Sequence, residues 1–117
     1  MTQDNQRKAQ ILKTGSRVLA SEVQAIEDLG RALGDDFVAA TELIAACDGK
    51  VVLSGIGKPY FIAQKLSASM ASLGIPSIAM HPVDALHGDL GRLQDKDVVV
   101  ILSNSGASRE VTDFAQT

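Results

Sequence analysis

Three serine hydroxyls fall within six residues in Ser103-Asn104-Ser105-Gly106-Ala107-Ser108, immediately after the apolar run Val98-Val99-Val100-Ile101-Leu102. A strand that runs into a glycine-containing loop and then into a helix start leaves backbone N–H groups unpaired, and hydroxyls beside them suit a phosphate. Asn104 and Gly106 belong to the same cradle, Gly106 as the residue that permits a tight turn. A second strand end has similar local architecture: Lys50-Val51-Val52-Leu53-Ser54 leads into Gly55-Ile56-Gly57-Lys58, and a helical pattern follows from Pro59. In open α/β sheets ligands lie beyond the carboxyl ends of the strands, so Lys58 and the serine cluster are expected to meet in one cleft. The chemistry this implies is that of a phosphosugar.

Each of these residues has a plainer reading. Lysines are mostly solvated surface residues, and Lys58 gains interest only from its place between a glycine loop and a helix start. The serines could be turn formers, with Ser108 a good helix cap. Gly55-Ile56-Gly57 is no dinucleotide fingerprint, because Tyr60 stands where the third glycine should allow close packing. The nucleotide P-loop also fails, with Pro59 after Lys58 and Val52 in place of the leading glycine. His81 and His87, with Asp84 and Asp89 nearby, match no common zinc spacing, and no metal is assigned. His87 reads either as a hydrogen-bonded loop residue or as a proton carrier, its unperturbed pKa of roughly 6.5 suiting work near neutrality. Glu110 is favoured by a helix dipole in any case, and would stand beside a phosphate-anchored sugar, near an acidic C–H proton.

The elements that must position these groups can be read from periodicity. Leu12, Leu19, Val23, Ile26, Leu29 and Leu33 keep helical spacing over residues 11–33, and Gly34 ends that helix. Asp35 or Asp36 caps the next, whose apolar stripe is Phe37, Ala40, Ile44 and Cys47; together the two are expected to form a helical hairpin. A buried-type strand follows at Val51 to Leu53, then a helix whose stripe is Ile62, Leu66, Met70 and Leu73, stopped by Gly74 and Pro76. Strands are expected at Ser77 to Met80 and Asp97 to Leu102, separated by a loop over 81–91 with one helical turn. This is an α/β chain: a helical hairpin followed by part of a doubly wound, Rossmann-like parallel sheet. Three strands leave two unpaired edges, so the reading is of one domain over residues 1–117 that is incomplete at its C-terminal side.

Composition bounds the partners. With 117 residues, 45% hydrophobic and 21% charged, the chain suits one globular core. A formal net charge of −3 and 3% aromatic residues argue against nucleic acid and against an anionic membrane surface. No apolar run is long enough to span a bilayer, and the single cysteine, Cys47, fits a reducing compartment, so the expected location is cytoplasmic.

Three blocks, in order, resemble the sugar isomerase (SIS) domain family, and in particular its bacterial arabinose-5-phosphate isomerase branch. They are Gly55-Ile56-Gly57-Lys58, then His81-Pro82-Val83-Asp84-Ala85-Leu86-His87-Gly88-Asp89-Leu90-Gly91, then Ser103-Asn104-Ser105-Gly106-Ala107-Ser108-Arg109-Glu110. The resemblance implies cofactor-free isomerisation between arabinose 5-phosphate and ribulose 5-phosphate through an enediol, feeding the sugar Kdo of lipopolysaccharide or capsule. Carried over by position, Ser103, Ser105 and Ser108 hold the phosphate, Gly55 and Gly57 shape the substrate loop, Lys58 and His87 line the sugar, and Glu110 is the acid/base. It further implies a homo-oligomer, usually a tetramer, with sites shared between subunits.

The match has departures. Ala107 stands where the family's usual glutamate follows the serine-glycine step, and Pro59-Tyr60 replaces a common serine-glycine pair. In the family the catalytic half continues further, supplying another glutamate and histidine, and many members carry paired CBS domains absent here. Two other readings therefore stand beside the isomerase: a module that binds a phosphosugar without turning it over, and an oligomerisation fragment built on the N-terminal helices.

Overall fold

The computed structural model describes residues 2–117, which divide into two compact units, one ending at Ala39 and the other spanning Ala40–Thr117. The first unit is dominated by α1, Gln3–Ala32. This helix starts earlier than the apolar periodicity indicates because Thr2 caps it, its side chain accepting the Asn5 N–H at 3.4 Å, with Asp4 in the first turn and Arg31 in the last complementing the dipole. α1 buries no residue, and Leu12, Leu19, Ile26 and Leu29 remain exposed. Past Gly34, α2 runs over Asp35–Ala45.

The second unit is a three-stranded parallel sheet, β1 (Val51–Gly55), β2 (Ser77–Met80) and β3 (Val98–Leu102), in the order β2-β1-β3. The register sets Val51 beside Ser77 on one side and Val98 on the other. β-branched residues begin β1, and all five of its positions are buried. Successive side chains point to opposite faces, so β1 builds two cores. Val51 and Leu53 pack with Ala63 of α3 (Lys58–Ser72), joined by Ile44 and Cys47 from the end of α2. Val52 packs on the other face with Met80, with Ala85 of α4 (Pro82–Leu86) and with Phe114 of α5 (Arg109–Gln116).

Two expectations need correction. The face of α3 that meets the sheet is Ala63, Ser67 and Met70, with Ser77 Oγ donating to the Ser67 carbonyl at 2.8 Å, while Ile62, Leu66 and Leu73 of the expected stripe are exposed. Small residues win this contact because they let the helix approach the strand closely. The 81–91 segment is also more ordered than a loop with one turn: α4 is followed by a 3-10 turn over Asp89–Arg92.

The far edge of the sheet, away from the candidate ligand groups, is held by Asp97. Its carboxylate accepts the Lys50 N–H and the Gln94 N–H, both at 2.9 Å, and pairs with the Lys50 ammonium, while its side chain is 2% exposed. The Lys50 side-chain hydrogen bond, then the Lys50 backbone N–H, lower the Asp97 pKa from 3.8 to about 2 against the opposing effect of burial. A depressed folded-state pKa stabilises the fold above the unfolded value, and that contribution disappears as pH falls through the folded one. The urea midpoint is therefore expected to lose the Asp97 contribution between about pH 4 and pH 2. In Asp97→Asn that acid step should shrink and the midpoint at pH 7 should fall; an unchanged acid limb would show that the clamp carries no stability.

Candidate functional site

The strand order places a switch point between β1 and β3, since the chain leaves β1 through α3 toward β2 and later returns to β3 on the opposite side. Crevices open at the carboxyl ends of strands at such points. Gly55 closes β1 there, and any Cβ on it would lie 2.9 Å from Pro59 and 3.1 Å from the Leu102 carbonyl. The absent side chain lets the first turn of α3 settle onto the ends of β1 and β3. Gly57 is the N-cap of α3 at φ 69 and ψ −131, a conformation strained for residues with a Cβ. Pro59 then suits the first helical turn, its missing N–H costing nothing there.

Two adjoining cavities result, sharing Pro59, Leu102, Ser103 and Asn104. The larger, about 530 Å³, is lined by Lys58, Ile62 and Ile101 besides the shared residues. The smaller, about 230 Å³, is lined by Ile56, Ser105, Ser108 and Val111 besides the shared residues. The structure thus brings Lys58 into the same crevice as the serine loop, as expected from the two strand ends.

The loop is wound by its own hydroxyls. Ser103 Oγ accepts the Gly106 N–H at 2.9 Å and Ser105 Oγ accepts the Ala107 N–H at 3.2 Å, with Gly106 at φ 64. A hydroxyl that accepts in this way still has its own hydrogen to donate to an anion. Ser108 is the N-cap residue of α5, yet its side chain makes no capping hydrogen bond, so the expectation of a side-chain cap is corrected. Its hydroxyl faces the smaller cavity, and the helix start beside it is left to other acceptors.

His87 and Glu110 line neither cavity. His87 is the exposed C-cap of α4, and Glu110 is the exposed second residue of α5. Ile56, Ile62 and Val111 are cavity residues that the sequence did not mark as part of a site. Apolar side chains beside a glycine loop carry no signal of their own. Among the described residues no three His, Cys, Asp or Glu side chains gather as a metal site requires. No helix is long and apolar enough to cross a membrane.

The SIS domain model matches residues 43–117. The chain belongs to the SIS domain family. The matched part of this SIS chain begins in α2 and takes in the whole sheet, both cavities and α5. It is 46% identical over 101 residues to "Arabinose 5-phosphate isomerase GutQ" of Escherichia coli K12, covering 86% of this chain and 32% of that protein. Similarity to "Arabinose 5-phosphate isomerase KdsD" of Pseudomonas aeruginosa is 42% over 100 residues, with 86% and 31% covered. The chain therefore spans about a third of the length of these curated relatives.

Solved structures agree on the SIS architecture. A candidate phosphosugar isomerase involved in capsule formation from Bacteroides fragilis superposes with a TM-score of 0.83 at 38% identity, covering 91% of this chain and 56% of that one. An Escherichia coli CFT073 protein in complex with arabinose 5-phosphate gives 0.82 at 33% identity, covering 97% and 58%.

Proposed function

We propose that this SIS chain binds D-arabinose 5-phosphate and interconverts it with D-ribulose 5-phosphate, as a cytoplasmic homo-oligomer that supplies Kdo biosynthesis. The observation that carries the reading is the meeting of Lys58 and the Ser103–Ser108 loop in one crevice, in a chain similar to isomerases of that sugar. The relative structure that holds arabinose 5-phosphate supports the same ligand. The smaller, hydroxyl-lined cavity takes the phosphate, and the sugar extends toward Lys58.

Anchoring the phosphate orients the carbon to be deprotonated, which turns an encounter into a positioned reaction. Glu110 takes the C2 proton of the aldose while the carbonyl oxygen at C1 gains a proton, so that the C2 electron pair becomes the C1–C2 double bond of an enediol. A proton delivered to C1, with loss of the O2 hydroxyl proton, then gives the ketose, and no oxidant or reductant is consumed. The Lys58 ammonium offsets developing negative charge on the enediol oxygens, and His87 lines the sugar.

Exposure of His87 and Glu110 outside both cavities favours a second reading, a module that binds the phosphosugar without turning it over. An NMR time course of the 117-residue chain with arabinose 5-phosphate separates the two. Appearance of ribulose 5-phosphate supports the isomerase, whereas shifts in the serine-loop amides without conversion support the module. Absence of both rejects the site. Ser105→Ala removes one hydroxyl from the phosphate cradle and is expected to weaken arabinose 5-phosphate binding by about tenfold, with saturated turnover little changed; unchanged affinity in the same titration would take Ser105 out of the cradle.

A further inference from the structure

We propose that His81 is a positioning residue for His87, capping α4 through its Nδ1 atom while Tyr60 holds the ring. The proposal rests on the reading that His87 lines the bound sugar, and concerns what fixes it there. Histidine is not among the preferred N-caps, which are Ser, Thr, Asp and Asn. Here its Nδ1 accepts the Val83 N–H at 3.2 Å and its carbonyl accepts the Ala85 N–H at 3.0 Å, from an extended backbone at φ −77 and ψ 132. One residue thus satisfies two donors of the first turn.

The cap reaches His87 in a single relay. The Val83 carbonyl accepts the His87 N–H at 3.1 Å, and the Asp84 carbonyl accepts it at the same distance. A five-residue helix is far too short to hold itself, so its end groups decide how well its exposed side is ordered. Pro82 and Ala85 are buried and keep α4 on the sheet. Losing the cap should therefore fray the exposed side that leads to His87 without detaching the helix.

The ring itself is fixed from the other side of the candidate site. Tyr60 lies in the first turn of α3, two residues after Lys58, and its ring meets the His81 imidazole edge-to-face with centroids 5.0 Å apart and planes at 78°. Behind His81, Ser54 Oγ donates to the Met80 carbonyl at 2.6 Å, so the backbone that carries the ring is held as well. Through this contact the helix start that presents Lys58 and the helix that ends at His87 are set relative to each other. Accepting at Nδ1 also requires the neutral tautomer with its hydrogen on Nε2.

Two variants separate the acceptor from the ring. His81→Phe keeps an aromatic partner for Tyr60 and removes the acceptor, whereas His81→Asn keeps a good capping acceptor and removes the ring. In amide hydrogen exchange, His81→Phe is expected to speed exchange at Val83 and His87 by about fivefold and to raise the dissociation constant for arabinose 5-phosphate by a similar factor. His81→Asn should return both to within about twofold of the parent. Unchanged exchange in His81→Phe, or equal losses in both variants, overturns the proposal. Faster exchange with unchanged arabinose 5-phosphate affinity overturns the link from the cap to the site. If the parent chain binds no arabinose 5-phosphate, the reading of the site fails independently. Long-range ¹H–¹⁵N spectra of His81 then decide the cap alone: a bare Nδ1 upholds it and a protonated Nδ1 refutes it.

Discussion

Glu110→Gln is expected to slow interconversion of arabinose 5-phosphate and ribulose 5-phosphate by about 10²- to 10⁴-fold, the range over which a positioned general acid or base contributes. Affinity for arabinose 5-phosphate should stay within about threefold, because a proton carrier works in the transition state rather than in ground-state binding. The residue occupies the second position of α5, directly after the serine loop and its N-cap, so a ligand held by that loop lies close to the same helix start. Glutamine preserves shape and the favourable N-terminal placement of a polar group while removing the base. Single-turnover NMR with titration of the same sample would check both halves. Equal turnover in the variant would remove Glu110 from the chemistry, and a parallel loss of affinity would assign it to binding.

Phe114→Ala should cost about 3–5 kcal/mol of folding stability, a large part of the roughly 5–15 kcal/mol that such a domain holds. Phe114 is 5% exposed and packs with Val52, Met80 and Ala85, so truncation opens a cavity among residues that themselves have little freedom to move. α5 has only eight residues, and Val111 and Phe114 are its buried contacts. The same substitution is therefore expected to release the helix that carries Glu110, lowering turnover beyond the loss explained by unfolding. Urea unfolding of Phe114→Ala and Phe114→Leu would test this. Leucine should recover most of the stability, and a loss below about 1 kcal/mol in the alanine variant would mean that the packing is not carried by this ring.

Much of the local structure was legible in the residues because it depends on neighbours in sequence. The β-branched runs at 51 and 98 form strands since they suit a sheet buried on both faces. Gly57 and Pro59 announce the start of α3 through backbone conformations that other residues adopt poorly or that proline favours. The serine loop lies where expected, because glycine and short hydroxyl side chains dictate such turns within a few residues. Lys58 and that loop also share a crevice as anticipated, since parallel strands present all their carboxyl ends on one side.

Other features depend on contacts between distant residues, and no local pattern could supply them. An apolar stripe such as Ile62, Leu66 and Leu73 names a helix face but not its partner, and Ala63, Ser67 and Met70 meet the sheet instead because the small residues among them and the Ser77 hydrogen bond bring the helix closer. Asp97 reads as a turn residue in sequence, yet it gathers hydrogen bonds from Lys50 across a separation that only the pairing of β1 with β3 closes. His81 suggested at most a poor metal ligand until Tyr60 and the Val83 N–H were found around it. By itself, then, the sequence determined the order and type of the elements, the phosphate-cradle motif and the family, all of which follow from short-range conformational preference and residue identity. Only the tertiary structure decided which faces are buried, which side chains share the crevice and which groups hold α4 in place, because those outcomes arise from packing and hydrogen bonding between residues far apart in the chain.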